Sequence, residues 1–250
     1  NRNAGNPFLL FVSYNAIHDP LMDAASRIEN FRSDPATHNL RNHPVVAAML
    51  ERMDEGIGRI VRTIHENGLE DNTLLIFYSD NGGKESYADQ SPLRAGKGWL
   101  YEGGIRVPLI ISWPGKIEEG AVEEGVVISH DFFPTFMSLL GVESRTGQEG
   151  INLLPNLLDN KPLPERDLFW HYPHYHRGSG MVPASALRSG KWKLIEWHEQ
   201  KLTGKKDSIE LFNLENDLSE EINLADSLPG KTVELYHKLD EWRIKTGAGM

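Results

Sequence analysis

Two apolar runs without polar alternation stand near the start of the chain and again after it: Pro7–Tyr14 (PFLLFVSY) and Thr73–Tyr78 (TLLIFY). Such runs predict strands buried on both faces, as in parallel sheets, because a half-buried strand alternates polar and apolar positions. Between them, Val46, Met49, Leu50, Met53, Ile57, Ile60, Val61 and Ile64 recur at helical spacing. Pro44 suits the first turn and Asn67-Gly68 the stop, so the spacing predicts a helix over 45–66. The methionines of that stripe read as core, and Gly56 and Gly58 as points of close packing on a sheet. Residues 21–43 are polar and irregular and predict a surface loop. Strand, helix and strand (7–14, 45–66, 73–79) make a βαβ-type unit, right-handed and parallel if the strands pair.

Further along, Leu109–Trp113 is another apolar run and Val126–Ser129 a short predicted strand. Asp131 reads as the N-cap of a helix through Phe132, Phe133, Phe136, Leu139 and Leu140, stopped by Gly141. On that reading His130-Asp131 is a cap and not a catalytic dyad. The stretch 147–164 is rich in Gly, Pro, Asn and Asp, with Leu153, Leu154, Leu157 and Leu158 spaced for one short helix. A boundary there divides the chain into an α/β domain, 1–160, and a small antiparallel β subdomain with a terminal helix, 161–250. In the second piece, Asp167–Tyr172, Ala184–Arg188, Lys191–Trp197 and Ile209–Leu214 predict short strands, with Ser189-Gly190 as a two-residue hairpin connection. Pro229 opens the last helix, with Val233, Leu235, Tyr236, Leu239 and Trp242 facing inward.

Composition narrows the class. The chain has 250 residues, 39% hydrophobic and 25% charged, the balance of a globular protein large enough for a full core. No apolar run approaches the roughly 20 residues that span a bilayer. A net charge of −10 with no basic stripe argues against nucleic acid as a partner. The chain has no cysteine, which removes disulfides and thiolate metal sites.

Candidate chemistry gathers where strands end. Thr73–Tyr78 stops at Ser79-Asp80-Asn81-Gly82-Gly83, so Asp80 and Asn81 sit at a strand's carboxyl end, where open α/β sheets place ligands. Their hard oxygens suit Ca²⁺ or Mg²⁺, although Asp-Asn-Gly-Gly is equally an ordinary turn. Next comes a glycine-flanked basic loop, Pro92–Gly98 (PLRAGKG), in which Lys97 can present a point charge to a small anion. From Arg94 to Arg106 three basic residues face one acidic residue. Glu102 and Arg106 flank Gly103-Gly104, so no helical ion pair is implied. Arg94 is open between a substrate and a neighbouring carboxylate. His18 follows the first apolar run in Asn15–Pro20 and reads, without other information, as a loop histidine. His171, His174 and His176 have spacing that a transition metal would accept, but Pro173 interrupts it and no partner carboxylate is evident. The bland alternative is an exposed loop.

SDNGG, then PLRAGKGWLYEGGIRVP, then SWPG resembles the second half of the type I sulfatases, the formylglycine-dependent arylsulfatase family. FLLFVSYNAIHDP, SHDFFPTFMSLLG, LRSGKWKLI and ELFNLENDLSEEINLA extend the resemblance over most of the chain. It implies an alkaline-phosphatase-like α/β sheet, here partial, and a sulfuric-ester hydrolase acting on a sulfated saccharide or aryl sulfate. It implies Asp80 and Asn81 as Ca²⁺ ligands, Lys97 as the sulfate-binding catalytic cation, and His18 as a sulfate contact and catalytic assistant. Sugar contacts fall to His171 and His174, and Arg94 is a further candidate substrate contact. The family's nucleophile is a formylglycine made from Cys or Ser in C/S-x-P-x-R; Ser91-Pro92-Leu93-Arg94 lacks that spacing. The nucleophile and remaining ligands are therefore expected in a missing N-terminal half of the same protein, leaving the chain inactive alone. Bacterial relatives suggest a periplasmic or secreted protein. The rivals are a phosphonate monoester hydrolase or phosphodiesterase on the same scaffold, and a noncatalytic glycan-binding fragment.

Overall fold

The computed structural model describes residues 6–37, 43–143, 147, 149–204 and 208–249. The chain forms two compact units, one of residues 1–68 with 84–89 and one of 69–83 with 90–250.

The first unit is helical. α1 (Ala25–Arg32) and α2 (Pro44–Glu66) are joined in part by a 3₁₀ turn, Pro35–Thr37. Pro44 occupies the first turn of α2, where its missing N–H costs nothing, and His43 caps it by accepting from the Val45 N–H at 3.2 Å. Gly68, with φ 62°, lets the chain turn away at the far end. Charge holds α1 to α2. Arg27 donates to Glu55 at 2.9 and 3.0 Å and also reaches Glu51, while Arg52 clasps Asp23. The Arg52 guanidinium brings the Asp23 carboxyl down to about 2. The loop expected over 21–43 thus contains a helix, whose weak apolar pattern hid it; residues 38–42 of that loop lie outside the described residues.

The expected strand at 7–14 does not form. Residues 7–15 carry no strand, and Phe8 to Val12 are exposed, Phe11 at 87%. A strand needs a neighbour for its backbone groups, and none is paired with it among the described residues. The parallel βαβ pairing falls with it. Gly56 does serve close packing, but against Tyr14: an added Cβ there would sit 2.5 Å from the tyrosine oxygen.

In the second unit β1 (Leu75–Tyr78) pairs with β2 (Leu109–Ser112), antiparallel, from Leu75 opposite Ser112 to Tyr78 opposite Leu109. Val126–Ser129 is not a strand; a 3₁₀ turn occupies Ser129–Asp131 instead. The cause is Asp131, whose buried carboxylate accepts from the Ile128 and Ile151 N–H groups at 2.8 and 2.9 Å and pairs with Arg166. Asp131 therefore braces the turn behind α4 (Phe132–Leu139) and does not cap that helix with its side chain. One-turn α3 (Glu102–Ile105) precedes β2 and α5 (Leu154–Asp159) follows α4. Arg106 comes within 3.9 Å of Glu102 across α3, so the pair unexpected from the sequence exists.

A four-stranded antiparallel sheet follows in chain order: β3 (Asp167–Tyr172), β4 (Ala184–Ser189), β5 (Trp192–Trp197) and β6 (Ile209–Asn213). The β4–β5 hairpin turns on Gly190-Lys191, one residue later than expected, because Ser189 already pairs with Trp192. Short α6 (His198–Leu202) and long α7 (Pro229–Thr246) complete the unit. Alternation gives the sheet two apolar faces. Ala184, Ala186, Ile195, Trp197 and Phe212 pack with Leu100, Tyr101 and Met181, which come from or beside the glycine-rich loop. Leu187, Leu194 and Leu211 pack on Leu235 and Leu239 of α7. Val233, expected to face inward, is 54% exposed.

Candidate active site

β1 delivers Ser79–Gly83 to the 94–104 segment, and backbone hydrogen bonds join the two. The Gly82 N–H donates to Gly104 O and the Lys97 N–H to Gly83 O, both at 2.9 Å. The Gly103 N–H donates to Arg94 O, also at 2.9 Å. Glycine is what permits this. A Cβ on Gly82 would lie 1.7 Å from Gly103 O, and one on Gly103 would lie 2.2 Å from Ala95 O. Backbone presses on backbone, so no rotamer change could relieve a side chain at these positions.

The structure thus brings Asp80, Asn81 and Lys97 onto two interlocked loops. The Asp80 and Asn81 side chains and the Lys97 amine have no hydrogen bond or ion pair among the described residues. Two unengaged hard oxygens and a cation held by a rigid backbone suit an oxyanion beside a hard metal ion. As a donor set, Asp80 and Asn81 fit Ca²⁺ or Mg²⁺ in kind but supply only part of its coordination shell. No group of three or more metal-ligating side chains occurs among the described residues. Arg94 is occupied: its guanidinium stacks on the Tyr101 ring at 3.9 Å and donates to Glu220 O at 2.6 Å. His18 belongs to the first unit, on an exposed loop, with Nδ1 2.9 Å from Asp19 O. A carbonyl only accepts, so Nδ1 carries the proton in that contact.

The three later histidines do not converge on a metal. His171 spends both nitrogens, Nδ1 on the Ser185 hydroxyl at 2.8 Å and Nε2 on Gly249 O at 3.0 Å. His174 is exposed and meets Tyr172 edge to face. Only His176 reaches the glycine loop, where its ring lies against Gly98. A fourth histidine, His198, accompanies them: it is buried beside Ser185, and burial pushes its imidazole down to about 4.

Sequence reasoning missed a buried ionic cluster under the loop. Lys193 on β5 is fully enclosed, 2.9 Å from Glu102 and 2.8 Å from Glu220. The Glu102 N–H donates to the Glu220 carboxylate at 2.6 Å, and Arg188 stands 3.6 Å from Glu102. Burial raises the Glu220 carboxyl above its ordinary value, against the pull of Lys193. The only sequence signal was a pair of charges, Lys193 and Glu196, inside the otherwise apolar strand pattern Trp192–Trp197.

The α/β scaffold, with a glycine-locked loop beside a strand end, is part of an alkaline-phosphatase-like fold. Residues 1–142 match the Sulfatase family, and residues 95–245 match the family described as N-sulphoglucosamine sulphohydrolase, C-terminal. The chain belongs to the sulfatase family. A protein named Sulfatase from Formosa agariphila is 30% identical over 98% of this chain and 48% of its own length. Ps i-CgsB, solved in complex with k-i-k-neocarrahexaose, superposes with a TM-score of 0.82 at 30% identity, covering 96% of this chain and 51% of that one. The phosphonate monoester hydrolase SpPMH from Silicibacter pomeroyi shares the fold, with a TM-score of 0.62 at 23% identity over 81% of this chain and 40% of its own. The chain spans about half the length of these relatives.

Proposed function

We propose that this chain is the part of a sulfuric-ester hydrolase that holds the sulfate of a sulfated saccharide. The observation that carries the reading is the pair of loops locked together by backbone contacts, on which the Asp80, Asn81 and Lys97 side chains have no partner among the described residues. The Lys97 ammonium donates to a sulfate oxygen and opposes the charge that grows on the leaving alkoxide. Asp80 and Asn81 would hold Ca²⁺, which supplies charge neutralisation of the sulfate when bound. His18, with Nδ1 already donating to Asp19 O, can hand a proton to the leaving oxygen from Nε2 only in its protonated form. His174 is free to meet the sugar; His171 and Arg94 would do so only by giving up present partners. The nucleophile, a formylglycine, and the other metal ligands would come from the N-terminal part of a longer polypeptide. The exposed apolar segment Phe8–Val12 fits such a partner, since it is a strand sequence without a neighbour. Export to the periplasm or medium suits polysaccharide substrates.

The test is Lys97→Ala in the longer, nucleophile-bearing enzyme. Removing one charge-assisted contact to the transition state lowers turnover of an aryl sulfate by about 10²–10³-fold. Unchanged turnover removes Lys97 from the reaction. Faster turnover of aryl phosphate than of aryl sulfate by the unaltered enzyme would transfer the reading to phosphonate or phosphodiester hydrolysis.

A further inference from the structure

Among the described residues, His176 is the one histidine whose ring rests on the glycine beside Lys97. A Cβ on Gly98 would lie 2.3 Å from its Nδ1 and 2.5 Å from its Cε1, and Gly98 itself has φ 88°. The ring is fixed from behind. Its backbone N–H donates to Met181 O at 2.9 Å, its carbonyl accepts from the Gly180 N–H at 2.9 Å, and Tyr172 meets it edge to face. The Ser179 N–H donates to Nδ1 at 3.1 Å, with the Ser179 hydroxyl 2.9 Å away. A backbone N–H can only donate, so Nδ1 is the accepting nitrogen and the proton resides on Nε2. That Nε2–H has no hydrogen-bond partner among the described residues, nor is it one of their buried unpartnered atoms. A neutral donor with a set tautomer therefore stands open one residue from the proposed sulfate cation.

We propose that His176 is a specificity-determining sugar contact, its Nε2–H donating to a hydroxyl or ring oxygen of the saccharide whose sulfate Lys97 binds. The inference rests on the reading of Lys97 given above. A neutral N–H suits an uncharged sugar oxygen, while the ammonium next to it serves the anion. His171, with both nitrogens committed inside the fold, cannot do the same without rearrangement.

The test compares His176→Ala, His176→Gln and Lys97→Ala in the longer enzyme on two kinds of substrate. One is 4-nitrophenyl sulfate, which has no sugar. The other is whichever of glucosamine 6-sulfate and k-i-k-neocarrahexaose the unaltered enzyme turns over faster. The expected result is that His176→Ala lowers kcat/KM on the saccharide by about five- to tenfold, chiefly through KM, and leaves 4-nitrophenyl sulfate unchanged. His176→Gln, which keeps an N–H donor at similar reach, recovers part of the loss and stands in if the alanine variant fails to fold. Lys97→Ala lowers both substrates. If Lys97→Ala acts on both but His176→Ala on neither, the sugar contact is overturned and the sulfate site stands. An equal fall on both substrates in His176→Ala assigns the ring to loop support and also overturns it. No saccharide turnover by the unaltered enzyme overturns it as well. No effect of Lys97→Ala overturns the sulfate site, and the inference with it.

Discussion

Lys193 is the residue on which the site's rigidity turns. Its ammonium is fully enclosed between Glu102 and Glu220, and Glu102 begins the helical turn that closes the glycine loop. A buried ion pair is weak evidence of stabilisation, but breaking one leaves an uncompensated charge. Lys193→Ala would leave Glu102 with Arg188 and Arg106 at 3.6 and 3.9 Å, and Glu220 with the Glu102 N–H at 2.6 Å. The expected cost is about 3–5 kcal/mol in urea unfolding. Combining Lys193→Met with Glu102→Gln and Glu220→Gln removes the charges together and should recover much of that loss. A single variant as stable as the parent would mean that the cluster is hydrated and not a strut.

At the level of elements, the second unit was the more legible. Its four strands and final helix stand within a residue or so of where alternation and turn residues put them, because each strand finds its neighbour within the chain. The failures have separate physical causes. Pro7–Tyr14 has the composition of a buried strand, yet composition cannot supply a partner, and the segment is left exposed. α1 was missed because charge, not an apolar stripe, binds it to α2. The close approach of the loops that carry Asp80, Asn81 and Lys97 was readable because glycines mark where backbones pass near one another. Lys193 and Glu220 were not, since both meet at Glu102, 91 and 118 residues away in sequence. α7 gives a direct check on inward and outward positions. Leu235→Ala and Leu239→Ala each remove a fully buried side chain and should cost about 2–5 kcal/mol in denaturant unfolding. Val233→Ala on the outer side should stay within about 0.5 kcal/mol. Equal costs at all three positions would contradict the packing.

For the molecule as a whole, the two units should respond to acid in different ranges. His198, in the second unit, is enclosed near Arg243, Lys201 and His171, with Glu196 as the opposing charge. Burial holds it neutral down to about 4, whereas the unfolded chain takes up a proton near its ordinary value of 6.5. Its contribution to stability is thus complete above about 6.5 and is lost as pH falls through about 4. In the first unit Asp23 is held at about 2 by Arg52, so its contribution is complete above 3.8 and lost only on approach to 2. Optics can separate the two. All six tryptophans (Trp99, Trp113, Trp170, Trp192, Trp197 and Trp242) lie in the second unit, while α2 contributes helical signal from the first. Thermal unfolding followed by tryptophan fluorescence should shift to lower temperature between pH 6.5 and 4.5. His198→Gln, which has no proton to gain, should shift less over that range. An identical pH dependence in parent and variant would show that His198 is not held neutral by the fold.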